Sequence, residues 1–395
     1  MTHRSAALAS VTLTAAHEAK PFAEIVRNFT PNWFTVTMGT GALALTLNQF
    51  PLPFPGMHRL ASGLWMANIV LFVTFSLLYA ARWVFFLDGA RRIFHHPVMS
   101  MFFGAIPMGL ATIVNGFLAF DPPLIGSAAV PIAAALWWVD AAMSVVCGLA
   151  VPYFMFTRQE HSIEKLTAVW LLPIVAAEVA AASGGLLAPH LAPDAAFTVL
   201  LLGYALWAYS VPLAMSILVL LVLRLALHKL PERDLGASAW LALGPIGTGA
   251  LGLVLLGGDA PSVFAARSGS LATVGDVAFG LGVVGGTALW GYGLWWMALA
   301  VLKTVRYLRE GLPFNLGWWG FTFPLAVYTL ATLALARVTG FAVFTVAGLC
   351  LAVCLAVFWS IVATFTLRGA WHRTLFVAPC LKMGRPVVRF EADAV

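Results

Sequence analysis

Charge in this chain is confined to short clusters, and the stretches between them are apolar runs of roughly 20 residues or more, the length needed to cross a ~30 Å hydrocarbon layer. "LWMANIVLFVTFSLLYA" (64–80) and "FAVFTVAGLCLAVCLAVFWSIVATF" (341–365) are two such runs. Only 10% of the 395 residues are charged and 61% are hydrophobic, whereas soluble domains carry about a quarter charged residues. That much apolar surface has to face lipid. The runs are continuous rather than alternating, which makes an outer-membrane barrel a poor alternative. The chain reads as an all-α polytopic membrane protein.

Ten spans are expected, near 31–49, 60–87, 97–120, 127–156, 165–188, 195–226, 236–257, 270–302, 316–336 and 340–367. An even number puts both termini on one side. Of the 22 Lys and Arg residues, Arg59, Arg267 and Arg337 fall in loops on the opposite side; the others share the side of the termini. Basic residues accumulate in cytoplasmic loops, so both termini are expected in the cytoplasm and the chain in the plasma or inner membrane. The net charge of +6 is accounted for by these loops and implies no nucleic-acid partner. Residues 1–27 read as a cytoplasmic leader that lacks the apolar core of a signal peptide. Residues 28–370 are expected to form one ten-helix membrane domain, and 371–395 a cytoplasmic tail.

Every second span carries a cluster of helix-disfavouring residues. "TMGTGAL" contains Gly39 and Gly41, and "FFGAIPMGLAT" contains Pro107 and Gly109. "WLLPIVAAEVAAASGG" holds Pro173, "LGPIGTGALG" holds Pro245 and Gly247, and "GFTFPLAV" holds Pro324. A feature recurring roughly every 70 residues indicates an internal repeat, here five helical hairpins. Proline inside a span frees a carbonyl and is expected to kink the helix. Such backbone is tolerated at membrane depth where protein or a water-filled cavity satisfies it. The odd spans are therefore expected to gather around a central pore, with these glycines and prolines as its lining or its kinks.

Other motifs are weaker. "GTGALG" (247–252) has the spacing of a dinucleotide loop, but no strand precedes it and it lies inside an apolar run. "GLGVVGG" (280–286) reads as a small-residue packing face. No phosphate loop, metal-ligand cluster or catalytic triad appears, so neither an enzyme nor an ATP-driven pump is expected, and no cofactor is implied. Cys147, Cys350, Cys354 and Cys380 read as small packing residues. His95 and His96, before span three, suit a helix start better than proton sensing. Two acids lie within spans, Asp140 and Glu178. A carboxyl in a membrane span is a functional candidate by default, here for proton coupling; the alternative is a carboxyl hydrogen-bonded between helices. No Lys or Arg occupies the middle of any span. A pore of hydroxyls, N–H groups and helix dipoles suits a small or weakly charged anion, although a cation held by carbonyls fits the same description.

"WFTVTMGTGALAL", "HPVMSMFFGAIPMGLATI", "ALWWVD", "LGPIGTGALGLVLL" and "GWWGFTFPLAVYTLA" together resemble the tellurite-resistance/dicarboxylate transporter family of the voltage-dependent anion channel superfamily, over about residues 28–370. The resemblance implies ten helices in five hairpins around a pore, assembled as a homotrimer with one pore per subunit. It implies a phenylalanine gate just before the proline of the ninth helix, which maps to Phe323. Pro324 would turn that ring into the pore, and Thr112, Thr248, Thr322 and Thr329 become candidate anion contacts. "LGPIGTG", "IPMGLATIVNG" and "ALWWVD" are similar to the sulfite efflux branch; "HPVMSMFF" and "WFTVTMGTGALAL" are similar to the malate branch. Transport of a small anion, by sulfite efflux or C4-dicarboxylate (malate) transport, is the function this implies. A passive, gated chloride or nitrate channel is the alternative.

Overall fold

The computed structural model describes residues 21–120, 122, 125–267 and 271–381. Most of the expected leader and of the expected tail thus lies outside the described residues. The helices are α1 (Phe22–Asn28), α2 (Phe34–Asn48), α3 (Met57–Phe85), α4 (Leu87–Arg91), α5 (Ala105–Phe120), α6 (Ala129–Arg158), α7 (Leu172–Leu187), α8 (Pro193–His228), α9 (Leu243–Ala265), α10 (Leu271–Glu310), α11 (Phe323–Thr339) and α12 (Ala342–Trp371). No strand occurs among the described residues. Among the described residues, nine helical segments are long and apolar enough to cross a membrane, and the protein is an all-α polytopic membrane protein. The first expected span is shorter, 15 residues of α-helix in α2 preceded by the 3₁₀ turn Pro31–Trp33.

Burial sorts these helices into two layers. In the segments containing α5, α7, α9 and α11, 78% to 94% of the most apolar stretch is buried; in α3, α6, α8, α10 and α12 the share is 17% to 39%. Phe34 to Thr46 of α2 are likewise all buried. The inner helices form a closed ring: α2 packs on α5, α5 on α7, α7 on α9, α9 on α11, and α11 returns to α2. Each outer helix lies over the groove between its own inner partner and the next one, as α6 does against α5 and α7. Large apolar side chains such as Leu77, Phe156 and Leu367 remain exposed on this outer layer, the surface that lipid covers. Cys350 and Cys354 belong to that exposed surface rather than to the packed interior, because they lie on the outward side of α12; Cys147 and Cys380 are buried.

A glycine stands at each crossing of the inner ring. A side-chain carbon on Gly109 would meet Thr37 of α2, one on Gly104 the Leu172 carbonyl, and one on Gly185 Leu255 and Leu256. On Gly247 it would stand 2.7 Å from the Tyr328 nitrogen, and on Gly39 2.6 Å from the Trp319 ring. Gly41 similarly abuts Thr112 and Asn68. Closure of a five-helix ring needs backbones this close, which only small residues allow. Three of the 280–286 glycines do the same for the outer layer: Gly282 lies against the Leu253 carbonyl, Gly285 against the Leu253 side chain and Gly286 against Val254, while Gly280 faces open space.

The expected mid-helix kinks take another form. Pro107, Pro173, Pro245 and Pro324 are each the second or third residue of an α-helix, and a 3₁₀ segment precedes each helix: Met99–Gly104, Ala168–Leu171, Arg233–Ala242 and Leu316–Phe321. Proline has no N–H to donate, and the first turn of an α-helix is the one place where none is required. The repeat unit is therefore a 3₁₀ segment, a short inner α-helix and a long outer one.

His96 begins the second unit. Its Nδ1 accepts from the Val98 and Met99 N–H groups at 3.2 and 3.1 Å, and burial holds its pKa below the usual histidine range. At the same end of the molecule Arg82 is fully buried. It donates to the Phe29 carbonyl at 2.6 Å, and its other nitrogen reaches the Gly89 carbonyl and the Cys380 sulfur, both at 3.3 Å.

Candidate functional site

Two cavities lie at opposite ends of the inner ring, and each is lined by all five inner units. The first, of about 250 Å³, takes Thr35 and Met38 from the α2 unit, Phe102 and Met108 from α5, Val175 from α7, Ser238 and Gly244 from α9, and Trp319, Phe323 and Pro324 from α11. The second, of about 240 Å³, takes Leu45, Asn48 and Gln49, then Asn115 and Leu118, Ala182 and Leu186, Leu251 and Leu255, and finally Leu330 and Arg337. No residue lines both.

The barrier between them has a regular thickness. The innermost lining residues are Met38 and Leu45 on α2, Met108 and Asn115 on α5, Val175 and Ala182 on α7, and Gly244 and Leu251 on α9. Each pair is seven residues apart, or two helical turns and roughly 10 Å. Seven residues also return to nearly the same helix face, with a drift of ~20°. The axis-facing stripe of each helix thus passes from one cavity to the other through a solid layer.

Phe323 stands on the first-cavity side of that layer, 3% exposed, at the 3₁₀-to-α switch with Pro324. Within the interval closed to both cavities fall Gly41, Thr112, Glu178, Gly247 and Thr248, which make two polar contacts between helices. On one side Asn68 of α3 donates to Thr112 at 3.0 Å, beside Gly41. On the other the fully buried Glu178 of α7 meets α8 and α9: Ser210 donates to its Oε2 at 3.2 Å and Thr248 donates to its Oε1. Both hydroxyls also lie within reach of carbonyls, Ser210 of Ile174 at 2.8 Å and Thr248 of Gly244 at 2.7 Å. The network therefore has more acceptors than hydroxyl protons.

The other candidates are placed apart. Asp140 is fully buried on outer helix α6, and neither carboxyl oxygen has a hydrogen-bond partner. Thr322 and Thr329 are buried and direct their hydroxyls to the Trp319 and Leu325 carbonyls at 2.8 and 2.7 Å; Thr112 does so to Gly109 at 2.8 Å. None of Thr112, Thr248, Thr322 and Thr329 lines either cavity, nor do Glu178, Gly39, Gly41, Gly109, Gly247, Pro107, Pro173 and Pro245.

Several lining residues escaped the sequence reading: Met38, Met108, Asn48, Asn115 and above all Arg337, assigned there to an outer loop. A signal was present. Phe323, Leu330 and Arg337 are spaced by sevens, which sets them on one stripe of α11.

Comparison with known proteins agrees with this architecture. Residues 28–367 match the voltage-dependent anion channel family. The chain is 39% identical over 352 residues to a sulfite efflux pump of Trichophyton rubrum, covering 89% of this chain and 93% of that protein. It is 26% identical to an uncharacterized transporter of Methanocaldococcus jannaschii, over 89% of this chain and 96% of the other. A malic acid transport protein of Schizosaccharomyces pombe is 22% identical, over 88% of this chain and 80% of its own length. With the match running through all five repeat units, the chain belongs to the voltage-dependent anion channel family.

Proposed function

We propose that the chain carries a small anion across the membrane through the axis of the inner ring, with Phe323 as the gate. The observation that carries this reading is the pair of cavities on one axis, lined by the same five helices and separated by two helical turns. Sulfite efflux is the favoured activity and C4-dicarboxylate (malate) transport the next. The relative named as a sulfite efflux pump supports this order, at 39% identity against 22% for the malic acid transport protein. Residues 28–370 make up the transport domain, which works as a homotrimer in the plasma or inner membrane with both termini in the cytoplasm. On that orientation the first cavity opens inward. The chain acts as a transporter and not as an enzyme.

Coupling to protons runs through the Glu178 network, whose excess of acceptors leaves room for a transferable proton. A passive channel for chloride or nitrate is the second reading. It is favoured by one fact, that neither Glu178 nor Asp140 lines a cavity. Proteoliposome flux of sulfite, malate and chloride, with and without a pH gradient, separates these. Sulfite flux accelerated by the gradient supports the first reading; chloride flux indifferent to it supports the second. Flux of none of the three would overturn both.

A further inference from the structure

We propose that the second cavity is a binding site for a small oxyanion, with Arg337 as its counter-charge. This rests on the anion-transport reading above and names where, on the far side of the gate, the anion is held. Arg337 lines the cavity. Among the described residues it forms no ion pair and no hydrogen bond to protein. The contrast with Arg267 is direct: at the same end of the molecule, Arg267 is paired with Asp194 at 2.7 Å. Arg82 and Arg224 are likewise occupied, by backbone carbonyls.

The surroundings of Arg337 suit an anion in three further respects. None of the described residues lining this cavity is acidic, whereas the first cavity includes Asp234 and has no Lys or Arg. Gln49 and Asn115 both line it, and each has a buried amide oxygen without a partner. Their amides make no hydrogen bond to protein, so their NH₂ groups are free to turn toward an anion. Asn48, by contrast, is fixed, donating to the Ala119 carbonyl at 3.3 Å and accepting from His58 at 3.0 Å. A volume of about 240 Å³ holds a sulfite-sized ion with some of its water.

The chemistry selects the ligand class. A guanidinium offers parallel N–H donors that match two oxygens of sulfite or a carboxylate, whereas chloride uses only its charge. An anion that has lost water in passing Phe323 thus meets the Arg337 guanidinium on the same stripe of α11, about four turns beyond the gate. Two ends so unequal in charge give the anion a higher affinity at the Arg337 end. Arg337 is accordingly a specificity-determining residue for oxyanions over chloride.

The test uses the full-length protein, purified and in oriented proteoliposomes, with sodium sulfite, malate and chloride as probes. Sulfite binding is measured by calorimetry, and the half-saturating concentration is measured with sulfite presented to the Arg337 side. Arg337→Gln should weaken both about tenfold, Arg337→Lys should restore chloride more fully than sulfite, and Arg267→Gln should leave both unchanged. Wild-type flux with unaltered binding in a folded Arg337→Gln variant would overturn the site and leave the transport reading standing. Absence of flux in the wild type, with binding still lost in Arg337→Gln, would overturn the transport reading and leave the site. If Arg337→Gln does not fold, Arg337→Lys decides: equal losses for sulfite and chloride, or no loss at all, would overturn the oxyanion assignment.

Discussion

Met38 and Leu45 lie two turns apart on one face of α2, the first lining one cavity and the second lining the other. The same interval recurs on α5, α7 and α9, so the closed section is a property of the repeat and not of a single plug. Phe323 is the largest side chain on the first-cavity face of that layer that sits at a backbone switch.

Phe323→Ala should raise anion flux per folded protein and weaken selectivity. Removing the ring widens and wets a constriction at which an anion must otherwise lose water. Truncating a buried phenylalanine costs about 3–5 kcal/mol, so expression will fall, and flux must be normalised to folded protein. A well-folded variant no more conductive than wild type would dismiss Phe323 as the gate.

Glu178→Gln should abolish acceleration by a pH gradient while leaving exchange at equal pH. Glutamine keeps the shape, and its one carbonyl oxygen can still accept from Thr248 or Ser210 while its NH₂ donates to the other hydroxyl, but it cannot take up and release a proton. Retained pH dependence would reduce Glu178 to a tie among α7, α8 and α9. Loss of all flux together with lowered thermal stability would point the same way.

The ring-crossing role of glycine predicts opposite outcomes at neighbouring positions. Gly247→Ala places a methyl 2.7 Å from the Tyr328 nitrogen, whereas nothing lies within 4 Å of a methyl on Gly244. Overpacking costs about 1–3 kcal/mol, and an unhindered helical Gly→Ala change gains up to about 1 kcal/mol. Thermal unfolding in detergent should therefore show a lower midpoint for Gly247→Ala and an unchanged or higher one for Gly244→Ala. Equal shifts would mean that α9 and α11 do not meet at Gly247.

His96 gives a pH dependence outside the membrane. Burial lowers its pKa from the ordinary 6.5, so the unfolded chain takes up the proton first. Its contribution to stability is complete above that value and is lost as pH falls toward the lower folded value. His96→Asn, which can accept the same Val98 and Met99 N–H groups, should keep the stability and remove this part of the acid sensitivity. His96→Ala should lose about 1 kcal/mol at neutral pH, as loss of a helix cap does. Identical acid sensitivity in wild type and His96→Asn would place its origin elsewhere.

The membrane class, the hairpin repeat and the alternation of glycine-rich with plainly apolar spans were legible in the residues alone. Each follows from local properties: run length against bilayer thickness, proline's missing N–H, and the small size of glycine. The burial of α5, α7, α9 and α11 against the exposure of their partners is that alternation carried into space. What each proline does was less legible, because a helix breaker in an apolar run reads equally as a kink or as the first turn after a 3₁₀ segment. The contacts of Glu178 were not legible either, since Ser210 and Thr248 lie 32 and 70 residues away in sequence. Nor was the fate of the Thr112, Thr322 and Thr329 hydroxyls, which turn back to carbonyls three or four residues earlier. Arg337 is the sharpest case: its position on the Phe323 stripe is periodicity, but its place on the wall of a cavity depends on how α11 is rotated against α2 and α9. That rotation is set by the glycine contacts of all five helices together, and only the closed ring fixes it.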